Sequence, residues 1–152
     1  MTYIDHDEGY SEEYLQGILK SVNSIAMVGA SSDKTKFSYG VLRVLSETGF
    51  DIIPVNPRTD ATAIRGLKVY PSLKSIDRPV DMVQVFRAPE ELPGIAREAV
   101  EIGARVLWGQ LGVRNDEAAR IAEDAGLEVV MDRCPKIELF RPFWKPKLHL
   151  EI

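Results

Sequence analysis

Apolar residues recur along the chain in two alternating periods, and the boundaries between them fall at glycines and prolines. In "SEEYLQGILKSV", residues 11–22, the side chains of Tyr14, Leu15, Ile18, Leu19 and Val22 share one helical stripe. Ser11 is placed to cap that helix, and Glu12 and Glu13 favour its positive end, so a leading amphipathic helix is expected. "SIAMVGA" follows as a short apolar run that reaches Gly29, the pattern of a strand buried on both faces. Val41, Leu42, Val44 and Leu45 then return to helical spacing and stop at Gly49, a natural glycine just past a helix end.

The alternation continues with "DIIPVNP" as a second strand. An irregular stretch comes next, where Gly66, Pro71 and Pro79 mark turns and "KVYPSL" is expected to form an edge strand or a crossover. "DMVQVF" is a third strand. Pro89 then occupies a first-turn position, and Leu92, Ile95, Ala96, Ala99 and Val100 define a helix that ends at Gly103, with Pro93 near its start. "ARVLW" is a further strand, Asn115 caps a helix through Ala125 that stops at Gly126, and "LEVVM" is the last strand. Short apolar strands alternating with helices need crossover connections, which gives an α/β fold: a doubly wound, mostly parallel sheet between helices, in three layers.

At 152 residues the chain fits one domain, and 45% hydrophobic with 28% charged residues is an ordinary globular composition. The formal charge of -4 argues against a general nucleic-acid binder, whose phosphate affinity needs an excess of Lys and Arg. Cys134 is the single cysteine, so an internal disulfide is excluded. "MTYIDHDEGY" does not read as a secretory signal, and no apolar run approaches the roughly 20 residues of a membrane span. A cytoplasmic protein without membrane attachment is expected.

In a doubly wound sheet, ligands bind beyond the carboxyl ends of the strands where the strand order reverses. The residues that follow each strand are therefore the candidates. The first such loop offers Gly29, Ala30, the hydroxyls of Ser31, Ser32 and Ser38, and Lys36 and Phe37 at the start of a helix whose unpaired N–H groups attract an anion. A phosphate suits this loop; a tight turn with helix-capping serines is the alternative.

The second strand ends "VNPR". Asn56 and Pro57 replace the acidic residue that would accept the ribose hydroxyls of NAD, and Arg58 would instead meet a ribose phosphate, as NADP and coenzyme A both carry. Phe86 and Arg87 border the same crevice, the ring for an adenine and the guanidinium for a phosphate or for an ion pair with Glu90 or Glu91. Gln110 and Gly112 in "WGQLGV", and Arg133 and Cys134 in "MDRCPKIE", complete the edge, while Trp108 belongs to the core. Cys134 reads either as a small buried side chain or as a thiol whose pKa Arg133 lowers and which meets the thiol of bound CoA.

"AMVGAS", "IIPVNP", "VDMVQVFR", "ARVLWGQLGV" and "VVMDRCPKIE" in this order resemble the successive motifs of the small stand-alone CoA-binding proteins, relatives of the CoA-binding domain that opens the succinyl-CoA synthetase α-subunit. The resemblance covers about residues 24–138. It implies a Rossmann-like domain there; a packed N-terminal helix at 1–23 is expected before it and a tail at 139–152, which the resemblance does not cover, after it. It also implies that Gly29, Ala30, Ser31, Ser38, Asn56, Pro57 and Arg58 cradle the CoA nucleotide, with the loops at Phe86, Gln110 and Cys134 forming the rest of the cleft.

A phosphorylated-histidine domain and an ATP-grasp partner are not encoded in these residues, so the synthetase reaction does not follow from the resemblance. His6 and His149 are expected at the surface, in mobile termini. Phe140, Phe143 and Trp144, set between prolines, suggest a tail packed on the domain or on a partner subunit. The expected role is to bind CoA or an acyl-CoA with no chemistry of its own, as a carrier, a sensor, or a subunit paired with another protein or a second copy. The alternatives are an NADP-dependent oxidoreductase and an interaction module with a vestigial nucleotide site.

Overall fold

The computed structural model describes residues 3–141. The apolar runs form strands and the 3.6-residue stripes form helices, in the order α1 (Glu12–Ser21), β1 (Ser24–Val28), α2 (Phe37–Thr48), β2 (Asp51–Val55), β3 (Ala63–Ile64), β4 (Leu67–Lys68), β5 (Met82–Val85), α3 (Leu92–Glu101), β6 (Val106–Gly109), α4 (Asp116–Asp124), β7 (Glu128–Val130) and α5 (Pro135–Leu139). Five strands make one parallel sheet in the order β2-β1-β5-β6-β7. The expected doubly wound, Rossmann-like architecture is the one observed.

Alternation along each strand divides the apolar residues between two faces. Ala26, Val28, Ile53, Val83, Leu107 and Val129 meet Leu92, Ala96, Ala99, Ala118 and Ala122 of α3 and α4. On the opposite face Ile25, Met27, Ile52, Met82, Trp108 and Val130 meet residues of α1, α2 and α5. All five residues of β1 are buried, as a central strand covered on both faces requires. From α1, Leu15, Ile18 and Leu19 enter this second core. Burying each such side chain contributes about 1.5–3 kcal/mol, so α1 is part of the domain's core rather than an appendage.

The capping signals act where the sequence places them. The Ser11 hydroxyl accepts from the Tyr14 N–H, the Asn115 side chain from the Ala118 N–H, and Gly49 ends α2 in the left-handed region at φ 111. Pro89 opens a 3-10 turn (Pro89–Glu91) that leads directly into α3.

One reading is narrowed and two are corrected. Of the two forms expected for "KVYPSL", it takes the crossover, between β2 and β5: β3 and β4 make a two-stranded antiparallel hairpin, and Tyr70 alone bridges to Val55 on the outer side of β2. Pro54 fits that edge strand because its carbonyl, accepting from the Tyr70 N–H, faces outward, and its missing N–H therefore removes no bond to β1. The motif after β7 is not only a loop, since Pro135 starts the short helix α5, with Cys134 at the position before it and no side chain capping it.

His6 is not a surface residue in a loose terminus. Its side chain is 6% exposed and lies between the Tyr10 hydroxyl, 2.6 Å away, and the Glu123 carboxylate, 3.4 Å away. Leu139, the last residue of α5, is buried. His149, Phe143, Trp144 and most of the expected tail lie outside the described residues.

Tyr14 of α1 and Tyr10 just before it also seal the sheet's second edge. The Tyr14 hydroxyl accepts from the Val129 N–H at 2.9 Å and donates to the Val129 carbonyl at 2.8 Å, and the Tyr10 hydroxyl accepts from the Met131 N–H at 2.7 Å. These are backbone groups that an edge strand would otherwise leave open to another chain.

Candidate functional site

Chain order and strand order part company at β1. From β1 the chain turns outward to β2, then returns across β1 to β5, so the connections leave β1 and β5 in opposite directions and a crevice opens beyond their carboxyl ends. Three of the sequence-chosen segments, the loops after β1, β2 and β5, converge there.

Gly29 follows β1 directly, with φ 94 and its N–H donating to the Val55 carbonyl at 2.8 Å. A Cβ on Gly29 would stand 2.5 Å from the Phe86 carbonyl oxygen and 3.1 Å from Cδ of Arg87. Its lack of a side chain thus lets the loop after β5 close onto the loop after β1; the glycine admits protein backbone there. Ala30 is fully buried and its carbonyl accepts from Nδ2 of Asn56 at 2.8 Å, which ties in the loop after β2. The Asn56 Oδ1 in turn accepts from the Arg58 N–H, shaping "NPR" into a turn with Pro57 exposed.

Beyond Ala30, the Ser31 hydroxyl accepts from the Asp33 N–H, and the Asp33 carboxylate accepts from the N–H and the hydroxyl of Thr35. Those bonds hold the Asp33 carboxyl below its usual range, with the Thr35 hydroxyl bond the largest cause. Ser32 and Lys36 are exposed. α2 starts at Phe37 with no side chain capping it and no acidic residue in its first turn, in contrast to α1 and α4, each of which has both. An anion at this end meets the positive pole of a helix with no carboxylate in that first turn opposing it. Ser38 is buried in the same turn, and the exposed Phe37 ring stands edge-on to Phe86 with centroids 6.5 Å apart and Nζ of Lys136 5.7 Å from its own.

Two arginines reach this mouth from separate loops and meet one carboxylate. Nη2 of Arg58 lies 3.3 Å and Nη2 of Arg87 3.2 Å from the same Oε1 of Glu91. The Arg87 side chain is 15% exposed and that of Arg58 63%, so one cation is packed into the wall and the other extends into solvent. Beside Asn56 and Pro57, a recess of about 450 Å³ continues toward Lys68 and Val69 of the β3–β4 hairpin. A second cavity, of about 330 Å³, lies under the N-terminal segment near His6 and Glu123, away from this convergence.

The remaining candidates gather at the β6–β7 side. Gln110 is 3% exposed and its Oε1 accepts from Nε2 of Gln84, leaving Oε1 of Gln84 and Nε2 of Gln110 buried without a partner. Gly112, at φ 80, donates its N–H to the Asp132 carboxylate. Arg133 lies over the Tyr10 ring at 5.3 Å, and its carbonyl accepts from Nε1 of Trp108. Cys134 is 1% exposed, the condition of a small core side chain. Gln110 and Cys134 are thus enclosed, whereas Arg58, Arg87 and Phe37 line the open mouth. The sequence offered Glu90 and Glu91 equally as partners of Arg87; that Glu91 also holds Arg58, 33 positions away, had no local signal.

Among the described residues no group of His, Cys, Asp or Glu side chains could hold a metal ion, and no helix is long and apolar enough to cross a membrane. The uncharacterized protein YneT of Bacillus subtilis is 41% identical over 127 residues, covering 84% of this chain and 93% of YneT. A hypothetical protein of Pyrococcus horikoshii OT3 superimposes with a TM-score of 0.83 at 33% identity, over 91% of this chain and 96% of that one. The alpha subunit of ADP-forming acetate–CoA ligase I of Pyrococcus furiosus is 31% identical over 99 residues, which are 59% of this chain and span only 21% of the ligase subunit. The model of the CoA binding domain matches residues 23–139, a stretch that holds all the strands of the sheet and each loop of the crevice, and the chain belongs to the CoA-binding domain family.

Proposed function

We propose that the crevice binds coenzyme A or an acyl-CoA by its nucleotide end and that the chain acts as a binding protein, a carrier, sensor or partner subunit, without chemistry of its own. The observation that carries this reading is the convergence of Arg58 and Arg87 beside the uncapped start of α2. CoA presents two kinds of phosphate, a pyrophosphate and a ribose phosphomonoester. A helix amino end suits the first, and a pair of guanidiniums suits the second.

The residues fit such a ligand in the required order. Ser31, Ser32, Lys36 and the first turn of α2 would receive the pyrophosphate, and Arg58 and Arg87 the ribose phosphate. Phe37 and Phe86 offer apolar faces to an adenine, and the recess beside Asn56 and Pro57 has the volume of a small-molecule site. Bound CoA would supply a thiol able to carry an acyl group. The relatives that are ligases extend far beyond this domain, and their activity is not assigned to this chain.

Thermal unfolding with CoA, dephospho-CoA, NADPH and NADH tests the reading. CoA at about 100 times its dissociation constant should stabilise the fold by roughly 2.7 kcal/mol, with a smaller effect of dephospho-CoA and none of NADH. Stabilisation by NADPH alone would establish the oxidoreductase alternative instead, and equal effects of CoA and dephospho-CoA would remove Arg58 and Arg87 from the ligand contacts.

A further inference from the structure

Glu91 is placed oddly for a site that takes a phosphate. It sits where the 3-10 turn passes into α3, and a single oxygen, Oε1, accepts from the two arginines that the chain brings together from the loops after β2 and β5. Its backbone N–H bonds to the Ala88 carbonyl and the neighbouring Pro89 carbonyl accepts from Asn115 Nδ2, so the turn that presents this carboxylate is anchored from two sides. The carboxylate is 37% exposed and stands at the mouth, not under it. It occupies the position of an anion bound by a pair of guanidiniums.

We propose that Glu91 is an internal competitor for the ligand's ribose phosphate: it neutralises Arg58 and Arg87 in the free protein and is displaced when the phosphate binds. This inference rests on the CoA reading above and adds a residue that sets its selectivity. Two cations shared by one carboxylate leave a net single positive charge for an arriving anion. A phosphomonoester, which carries about −1.5 to −2 charges at pH 7 and three strong acceptor oxygens, can take both guanidiniums from a carboxylate, which offers one charge and two oxygens. An anion of one charge gains little from the exchange. Glu91 therefore weakens binding of every anion at this point and weakens a singly charged one most in relative terms, which makes the doubly charged phosphomonoester the group that is read.

The variant Glu91→Gln keeps the shape and a hydrogen-bond acceptor but removes the charge. Calorimetric titration of both chains with CoA and with dephospho-CoA decides the matter, with thermal melts showing that the variant is folded. Glu91→Gln should bind CoA about fivefold more tightly, equivalent to about 1 kcal/mol, and should bind dephospho-CoA with the affinity of the parent chain. It should also steepen the loss of CoA affinity with added salt, because two unneutralised cations then meet the phosphate. Weaker or equal CoA binding by Glu91→Gln, with the parent chain binding CoA well, would overturn the competitor role and make Glu91 a residue that positions the arginines. Failure of CoA to bind either chain would instead overturn the functional reading on which the inference stands. If that variant does not fold, Glu91→Ala carries the same test: it should likewise bind CoA more tightly than the parent chain while leaving the affinity for dephospho-CoA unchanged, and weaker or equal CoA binding by it would overturn the competitor role.

Discussion

The same substitution has opposite signs at two glycines of this chain. Gly29 holds φ 94 with the Phe86 carbonyl oxygen where its Cβ would be, whereas Gly17 lies on the exposed side of α1 with nothing within 4 Å of that position. Gly29→Ala combines a strained backbone with a backbone clash and should cost about 2 kcal/mol or more. Gly17→Ala should stabilise by up to about 1 kcal/mol through helix propensity alone. Urea melts read both as shifts of the midpoint at unchanged slope; a Gly29→Ala chain as stable as its parent would show that the two loops can separate without cost. That Gly29 ends a strand was legible from its place after "SIAMV". The reason it must be glycine was not, because Phe86 is 57 positions distant and only the sheet brings them together. His6 was misjudged on similar grounds: its partner Glu123 is 117 positions away, and a lone histidine near a terminus gives no local sign of it.

Among elements, β7 depends most on what lies outside the sheet. It is three residues long, and the outward N–H and carbonyl of Val129 are both taken by the Tyr14 hydroxyl. Burial raises the pKa of Tyr14 well above its ordinary value, with the bond that its oxygen accepts from the Val129 N–H opposing that shift only in part. Because the folded pKa lies above the unfolded one, this contribution to stability is full below about pH 10 and declines as the pH rises beyond it. Tyr14→Phe leaves two backbone groups unpaired and should destabilise by about 1–3 kcal/mol. It should also lessen the alkaline fall in stability, read from melts between neutral pH and pH 11; an unchanged alkaline branch would mean that the hydroxyl is solvated. The helical stripe of α1 announced a packed helix, yet Tyr14 appeared in it only as an apolar position, since periodicity registers the ring and not what its hydroxyl bonds.

For the molecule as a whole, the alternation of periods was enough to give the layers, the parallel sheet and the edge at which the crevice lies, because right-handed crossovers leave few other arrangements. The convergence of Arg58 and Arg87 on one carboxylate depended on the strand order, which periodicity does not encode. The pairing of α1 and Tyr10 with the sheet's last strand has a further consequence, for the order of events during synthesis. The bonds from Tyr14 to Val129 and from Tyr10 to Met131 join residues 115 and 121 positions apart, so the first helix emerges from the ribosome long before the strand that it completes. Until residues 128–131 follow, the Tyr14 and Tyr10 hydroxyls lack these backbone partners, and until α5 follows the apolar face of α1 lacks Val130, Cys134 and Leu139. Contacts this distant in the chain repay their closure entropy only at the end of folding. Nascent chains arrested before β7 should therefore be cut by protease within α1, and chains released at full length should resist cleavage there.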